Sequence, residues 1–472
     1  MTDGDEPQRV ERLAGLDPSA VPDSGASLEP DAGAEPGVGG ASAEPVTPAP
    51  RRRRARVLAT ITAVVVVVVA VAVAGPRVLP AGDSHGAFGS TGAPIGLGGN
   101  AAADGASGAA LDAEVSTLLT ARGTAVRRDD AGAWRRTQTS DAHVPVFARL
   151  AALPLTRWSY HVESIEEADD PRSVVAVVTV RYRYDVDATD AVLKERLTLR
   201  RVATGWLVAA ESTADSRAEP WDLGPLTVVS GRASLVIGID VSRAVARRYA
   251  ALADAVTPDV TAVWGPGWNQ HPVVIVPRSS AMLGRGLGRT AASLEDFAAV
   301  TVSEGGTSAG AAMRVWTNTS AMASLSALGR EIVLRHEVTH VATAAPVTPS
   351  VPLWLEEGFA EYVGYLGSRI PVGEALSELA TSAQRSGAPK HLPAPSAFTG
   401  PQVDVAYESA DLACRYIADT YGRAALVRVY RLTAAGTGSD SANVDSALRA
   451  VTGLDTAGFE AVWRARIARL EA

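Results

Sequence analysis

Cysteine is almost absent. A single one, Cys414, stands in 472 residues, which excludes an internal disulfide and any thiolate metal cluster. Set in the apolar pattern "DLACRYIADTYG", it reads as a packing residue. Lysine is nearly missing too, confined to Lys194 and Lys390, while Ala, Val, Gly, Arg and Asp abound. That bias marks a GC-rich genome and says nothing of function. Excess positive charge is also lacking. The net charge is −8, and the first fifty residues account for all of it, with ten Asp and Glu against two Arg. The remainder balances at 42 acidic and 42 basic residues, so it offers no basic face for nucleic acid. Apolar residues make up 47% and charged ones 20%, a core-forming composition with room for more than one domain.

Large apolar residues are scarce in 1–50, where Pro, Gly, Ala and acidic residues dominate. Such a segment buries too little surface to offset chain entropy and reads as a disordered acidic tail. Next comes "RRRRARVLATITAVVVVVVAVAVAG", a basic cluster followed by nineteen uncharged residues, 57–75. At 1.5 Å rise per residue these make roughly 28 Å of helix, the thickness of a bilayer core. The segment 51–75 is therefore expected to be a single transmembrane helix. With the arginines on its N-terminal side, the tail is placed in the cytoplasm and the C-terminal bulk outside the cell membrane. A cleaved signal peptide is the alternative, because "AVA" at 72–74 resembles a signal-peptidase site. Residues 76–108, rich in Gly, Ala and Ser, read as a flexible linker that contains His85.

The expected fold class beyond the linker is α+β in two units. In 109–220, Leu111, Val115, Leu118, Leu119 and Val126 recur at helical spacing. Strand-like stretches follow: "RWSYHVESIE", "SVVAVVTVRYRYDV", "AVLKERLTLRRV" and "GWLVAAES". Residues 174–184 alternate, with Thr179, Arg181 and Arg183 on one face, as in a half-buried antiparallel strand. Helices followed by a curved meander resemble the NTF2-like/SnoaL-like cone fold. His143 and His161 have no partners at ligand spacing there and read as structural. In 221–472, "ASLVIGID" and "PVVIVP" read as buried strands, and "SRAVARRYAALADAV" as a helix. "MRVWTNT" reads as a further strand, at the sheet edge, along which a peptide backbone can lie. Beyond 320 the pattern is helical, so a small β-sheet precedes a mostly helical half.

One stretch carries chemistry. In "VLRHEVTHVA", on a helix capped by Ser326 and stopped by Pro346, His340 lies about 40° around the helix from His336 and one turn along. Both imidazoles can face one ion, while Glu337 reaches beside it. That is the arrangement zinc hydrolysis needs: two neutral nitrogen ligands and a base for the attacking water. A metzincin third ligand is excluded, because Thr343 and Pro346 stand where Gly and His are required. Further on, "PLWLEEGFAEY" presents Glu356, Glu357 and Glu361.

With this second motif the chain resembles the gluzincin metallopeptidases, in particular the M1-like peptidase MA group. Their pattern Trp-Leu-x-Glu-Gly-(Phe/Leu)-Ala is met by Trp354, Leu355, Glu356, Glu357, Gly358, Phe359 and Ala360. The resemblance implies Glu357 as the third ligand of Zn2+, with sixteen residues between it and His340, two fewer than in the aminopeptidase members. It further implies that Tyr407, in "AYESADLACRYIADTYG", donates a hydrogen bond to the tetrahedral oxyanion. His391 is a rival donor, and His271 reads as structural. Glu356 is expected in solvent. Glu361 is open between a surface carboxylate and one that orients a ligating histidine. The Gly-x-Met-Glu-Asn stretch by which the aminopeptidases anchor a free amine is missing, which favours an endopeptidase. The function expected is a membrane-anchored zinc metallopeptidase acting on peptides or proteins, with Glu337 as general base. The alternative is a catalytically silent binding or assembly module on the same scaffold.

Overall fold

A computed structural model describes residues 101–140, 144–213, 217–305 and 311–470. Helix α1 (Ala101–Arg127) opens them, so 101–108, read from sequence as linker, are its first two turns. Two short helices follow, α2 (Ala131–Arg135) and α3 (Val144–Ala151). Then come four antiparallel strands in sequence order: β1 (Leu155–Glu167), β2 (Ser173–Tyr184), β3 (Ala191–Val202) and β4 (Gly205–Thr213). Alternation dictates which face is inside. Ala176, Val178, Val180, Tyr182 and Tyr184 of β2 are all buried, and they meet Val115, Leu119 and Val126 from α1 in one core.

After the short α4 (Pro220–Leu223) a second sheet begins, built from β5 (Leu226–Ser230), β6 (Leu235–Ile239), β7 (Val273–Pro277), β8 (Ala299–Glu304) and β9 (Ala312–Thr317). Its strand order is β5-β6-β7-β9-β8, with β6, β7 and β9 parallel and the two outer pairs antiparallel. Helix α5 (Arg243–Trp264), capped by Ser242, makes the crossover from β6 to β7. Leu235, Ile237, Val273 and Ala312 join the core of the meander, whereas Val236, Val274, Val276 and Val315 join that of the helical half. A sheet covered on both faces has no use for polar alternation, which is why β6 and β7 are unbroken apolar runs.

This order corrects the reading of "MRVWTNT" as a sheet edge. Strand β9 is hydrogen-bonded to β7 on one side and to β8 on the other, so its backbone groups are already used. The edge beside it is β8.

The expectation of a single transmembrane helix, and with it the single-pass cell-membrane location, is also corrected. Among the described residues no helix is long and apolar enough to cross a membrane. The two longest, α1 and α5, carry Asp112, Glu114, Arg122 and Arg127 in the one and Arg247, Arg248, Asp254 and Asp259 in the other. Each charge at a bilayer centre costs about 2.5–3.5 kcal/mol. The stretch 51–75 on which that expectation rested lies outside the described residues, as do the acidic tail and 76–100. The fold is α+β, a sheet region followed by a helical C-terminal half.

That half comprises α6 (Ser280–Leu287) beside the sheet, then α7 (Thr319–Ser324), α8 (Ala327–Thr343), α9 (Leu353–Tyr365), α10 (Val372–Ala375), α11 (Ser377–Ser386), α12 (Val403–Tyr421), α13 (Arg423–Ala434), α14 (Asp440–Thr452) and α15 (Thr456–Ile467). Helices α9 and α12 approach closely at Gly358, where an added Cβ would lie 2.3 Å from the Ala410 carbonyl oxygen and 3.0 Å from Cys414 Sγ. Backbone cannot yield as a side-chain tip can. Gly358→Ala is therefore expected to force the helices apart at a cost of about 1–3 kcal/mol, read as a lower denaturation midpoint with an unchanged slope.

Candidate metal centre

Helix α8 starts at Ser326, whose hydroxyl accepts from Gly329 N at 3.0 Å. It ends at Thr343, where Ala344 turns left-handed (φ 54°) just ahead of Pro346. From Ile332 to Ala342 only Val341 escapes full burial, because the sheet, α5 and α9 surround the helix. Polar side chains in such a position must find partners. His336 and His340, one turn apart, bring their Nε2 atoms to 2.9 Å. Glu357, in the second turn of α9, places Oε2 at 3.3 Å from His336 Nε2 and 3.4 Å from His340 Nε2. Buried Arg335 fixes the two helices in that relation. It pairs with Glu331 and Asp259 and donates to the carbonyls of Gly364 at 2.8 Å and Leu366 at 3.2 Å, closing the C-terminus of α9.

His336, His340 and Glu357 are completely buried, and one ligand atom from each lies within 4.8 Å of the others. Neither Glu357 oxygen has a hydrogen-bond donor in good geometry. The edge of a tetrahedron with metal–ligand bonds of 2.0–2.1 Å is roughly 3.3–3.4 Å, close to the spacings seen here. The charges ask for a cation as well. Burial alone would raise Glu357, yet His340 and His336 hold it below the usual carboxylate range. Burial alone would lower His336, but Glu357 and Glu361 carry it up to about 10. The three side chains can hold a divalent metal.

Glu361 Oε1 stands 3.4 Å from His336 Nδ1, on the side away from the cluster. Glu356 is placed otherwise than expected. Instead of reaching solvent it is buried, with Oε1 4.0 Å from His340 Nδ1, and burial pushes it up to about 7. The reason is packing: α9 is enclosed on every side from Trp354 to Gly364, so it has no solvent face.

Glu337 points beside the cluster. Its Oε2 accepts from Thr301 Oγ1 at 2.5 Å, and Thr301 also lies 3.1 Å from the Glu337 carbonyl oxygen. Its Oε1 has no partner, and burial holds the carboxyl above its ordinary range. Thr301, on edge strand β8, went unnoticed in the sequence. Its signal was the alternation Ala299, Val300, Thr301, Val302, Ser303 ahead of the sequence pair Gly-Gly. Tyr407 is buried, with its ring centroid 6.5 Å from that of His336 and in edge contact with Phe398. His391 is elsewhere, 78% exposed and 3.0 Å from Glu460. His271 bonds Asn269 in its own loop. His85 and His143 lie outside the described residues.

Residues 297–469 match the model of the Peptidase MA superfamily. The match supports a peptidase MA-like domain that runs from the start of β8 through α15. It takes in Thr301, the α8 pair, Glu357 and Tyr407, and leaves out the meander and β5 to β7. No curated protein matches the chain.

Proposed function

We propose that the chain is a zinc metallopeptidase that cleaves peptide bonds internally. The observation that carries this reading is the buried convergence of His336, His340 and Glu357 with Glu337 held free beside them. Two imidazoles and a carboxylate are a common donor set for catalytic zinc. Zinc held there supplies a Lewis acid and brings the pKa of water towards ~7. Glu337 takes the proton of the attacking water and passes it to the leaving amine. Thr301 keeps one oxygen of that carboxylate occupied, so the other faces the reaction. Glu361 faces the Nδ1 side of His336, where an acceptor favours the tautomer that presents Nε2. Tyr407 donates to the oxyanion as charge develops on it. Edge strand β8, paired in the sheet with β9 on one side, is where an extended substrate adds as a further strand. The missing amine-anchoring stretch favours internal cleavage over amino-terminal trimming.

The test is metal content combined with turnover. The purified chain is expected to bind about one zinc per molecule and to cleave a mixed peptide library until a chelator is added. Glu357→Ala is expected to lose both the metal and the cleavage. Zinc retained in the wild type without cleavage of any library member would overturn the enzyme reading and leave a binding module. Thr301→Val is expected to leave metal content and KM alone and to lower kcat about 10- to 100-fold, the worth of a hydrogen bond to a charged group. Steady-state kinetics on one cleaved peptide measures this.

A further inference from the structure

Strand β3 breaks its own pattern. Ala191, Leu193, Leu197 and Leu199 point into the core of the meander, and the position between them on the same face is Glu195. A carboxylate in an apolar phase is a local inconsistency of the kind that marks a functional site. Glu195 is 8% exposed, and its Oε2 has no hydrogen-bond partner. It lies in the wall of a cavity of about 310 Å³ that also takes in Trp134, Trp158, Trp221, Glu211 and Asp222.

The charges that share this wall are Glu211, Asp222 and the cation Arg285. Arg122, fully buried on α1, pairs with Glu211, donates to Thr137 Oγ1 at 2.8 Å and stacks 3.3 Å above the Trp134 ring. Asp222 accepts from Glu219 N at 3.1 Å and lies in the field of Arg149 and Arg285. Among the described residues neither Glu195 nor Asp222 makes an ion pair, but Asp222 holds a backbone N–H whereas Glu195 Oε2 holds no donor. Burial, reinforced by Glu211 and Asp222 and opposed by the charge of Arg122, holds Glu195 well above the usual carboxylate range.

The geometry points to a binding site for a small alkylammonium cation in this cavity, with the ammonium on Glu195 and the alkyl part against the tryptophans. Aromatic walls with a carboxylate at the base suit an organic cation. A bare metal ion would need several oxygen ligands, and an anion would meet the wrong sign. The volume lies at the lower end of small-ligand sites, enough for a free amine or a lysine side chain. This inference does not rest on the peptidase reading.

Three tryptophans in the wall provide the readout. The full chain is titrated with n-butylammonium chloride and, separately, with Nα-acetyl-lysine N-methylamide, against sodium chloride at equal ionic strength. A saturable change in tryptophan fluorescence with either cation is expected, and Glu195→Gln should weaken it at least tenfold. Glu337→Gln should leave it unchanged. Tighter binding of butylammonium identifies a free amine as the natural source, and tighter binding of the lysine derivative identifies a basic side chain. Should Glu195→Gln misfold, Ala218→Leu, at a residue of the same cavity wall, fills the cavity and spares the carboxylates, and must abolish the response. The proposal is overturned if neither cation saturates, or if Glu195→Gln responds like the wild type. In that case Glu195 simply carries a buried proton.

Discussion

Glu337→Gln is expected to lower kcat for peptide cleavage by about 10²–10⁴-fold, the usual contribution of a positioned general base, while bound zinc stays at the wild-type level. The expectation follows from where the carboxylate sits. Glu337 is fully buried, one oxygen is held by Thr301, and the other has no protein partner. Glutamine has nearly the same shape and can still accept from the Thr301 hydroxyl, so the change removes basicity and little else. Burial already raises the Glu337 carboxyl, which makes it a stronger base than an exposed glutamate. Metal analysis, a thermal melt and kcat on one peptide separate the outcomes. A variant that keeps both zinc and full turnover would sink the assignment of Glu337. One that loses zinc would show that Glu337 holds up the ligand set.

The part of this centre that sequence revealed is the part that depends on one helix. His336 and His340 share a face because 3.6 residues make a turn, whatever surrounds them. Glu357 was reached only through a resemblance, since no rule of spacing says where a second helix will lie. What sequence misread depends on neighbours. Glu356 was expected in solvent because it sits beside Glu357 on a helix. A helix buried from Trp354 to Gly364 has no outer face, however, and both residues are buried. "MRVWTNT" has the composition of a strand and is one. Its place inside the sheet is set by β8, which pairs with it from earlier in the chain. Thr301 was overlooked with β8, and with it the group that holds the base. The apolar run at 57–75 could be read only by its length and hydropathy, and it lies outside the described residues. Among the described residues no helix is long and apolar enough to cross a membrane.

The largest effect on stability is expected at Arg314. This residue of β9 makes a two-pronged ion pair with Asp187 in the β2–β3 turn, both contacts at 2.7 Å, with side chains only 1% and 2% exposed. Its guanidinium also lies 4.7 Å from the centre of the Tyr184 ring. The pair joins the meander to the second sheet. Burying two charges is costly, and their mutual attraction repays that cost only while both are present. Arg314→Met leaves Asp187 buried and unpaired and is expected to cost about 3–5 kcal/mol. The double change Arg314→Met with Asp187→Leu should recover most of the loss, because no charge is then stranded. Urea unfolding of the two single variants and the double variant measures the coupling. A single variant that loses less than about 1 kcal/mol, as an exposed pair would, contradicts the role given to the pair. The consequence reaches the catalytic side through register. Arg314 lies opposite Val302 across the β8–β9 pair, next to Thr301. A shift of β9 therefore moves the hydroxyl that holds Glu337. Arg314→Met is expected to lower kcat even at temperatures where the chain remains folded, and the double variant to restore it.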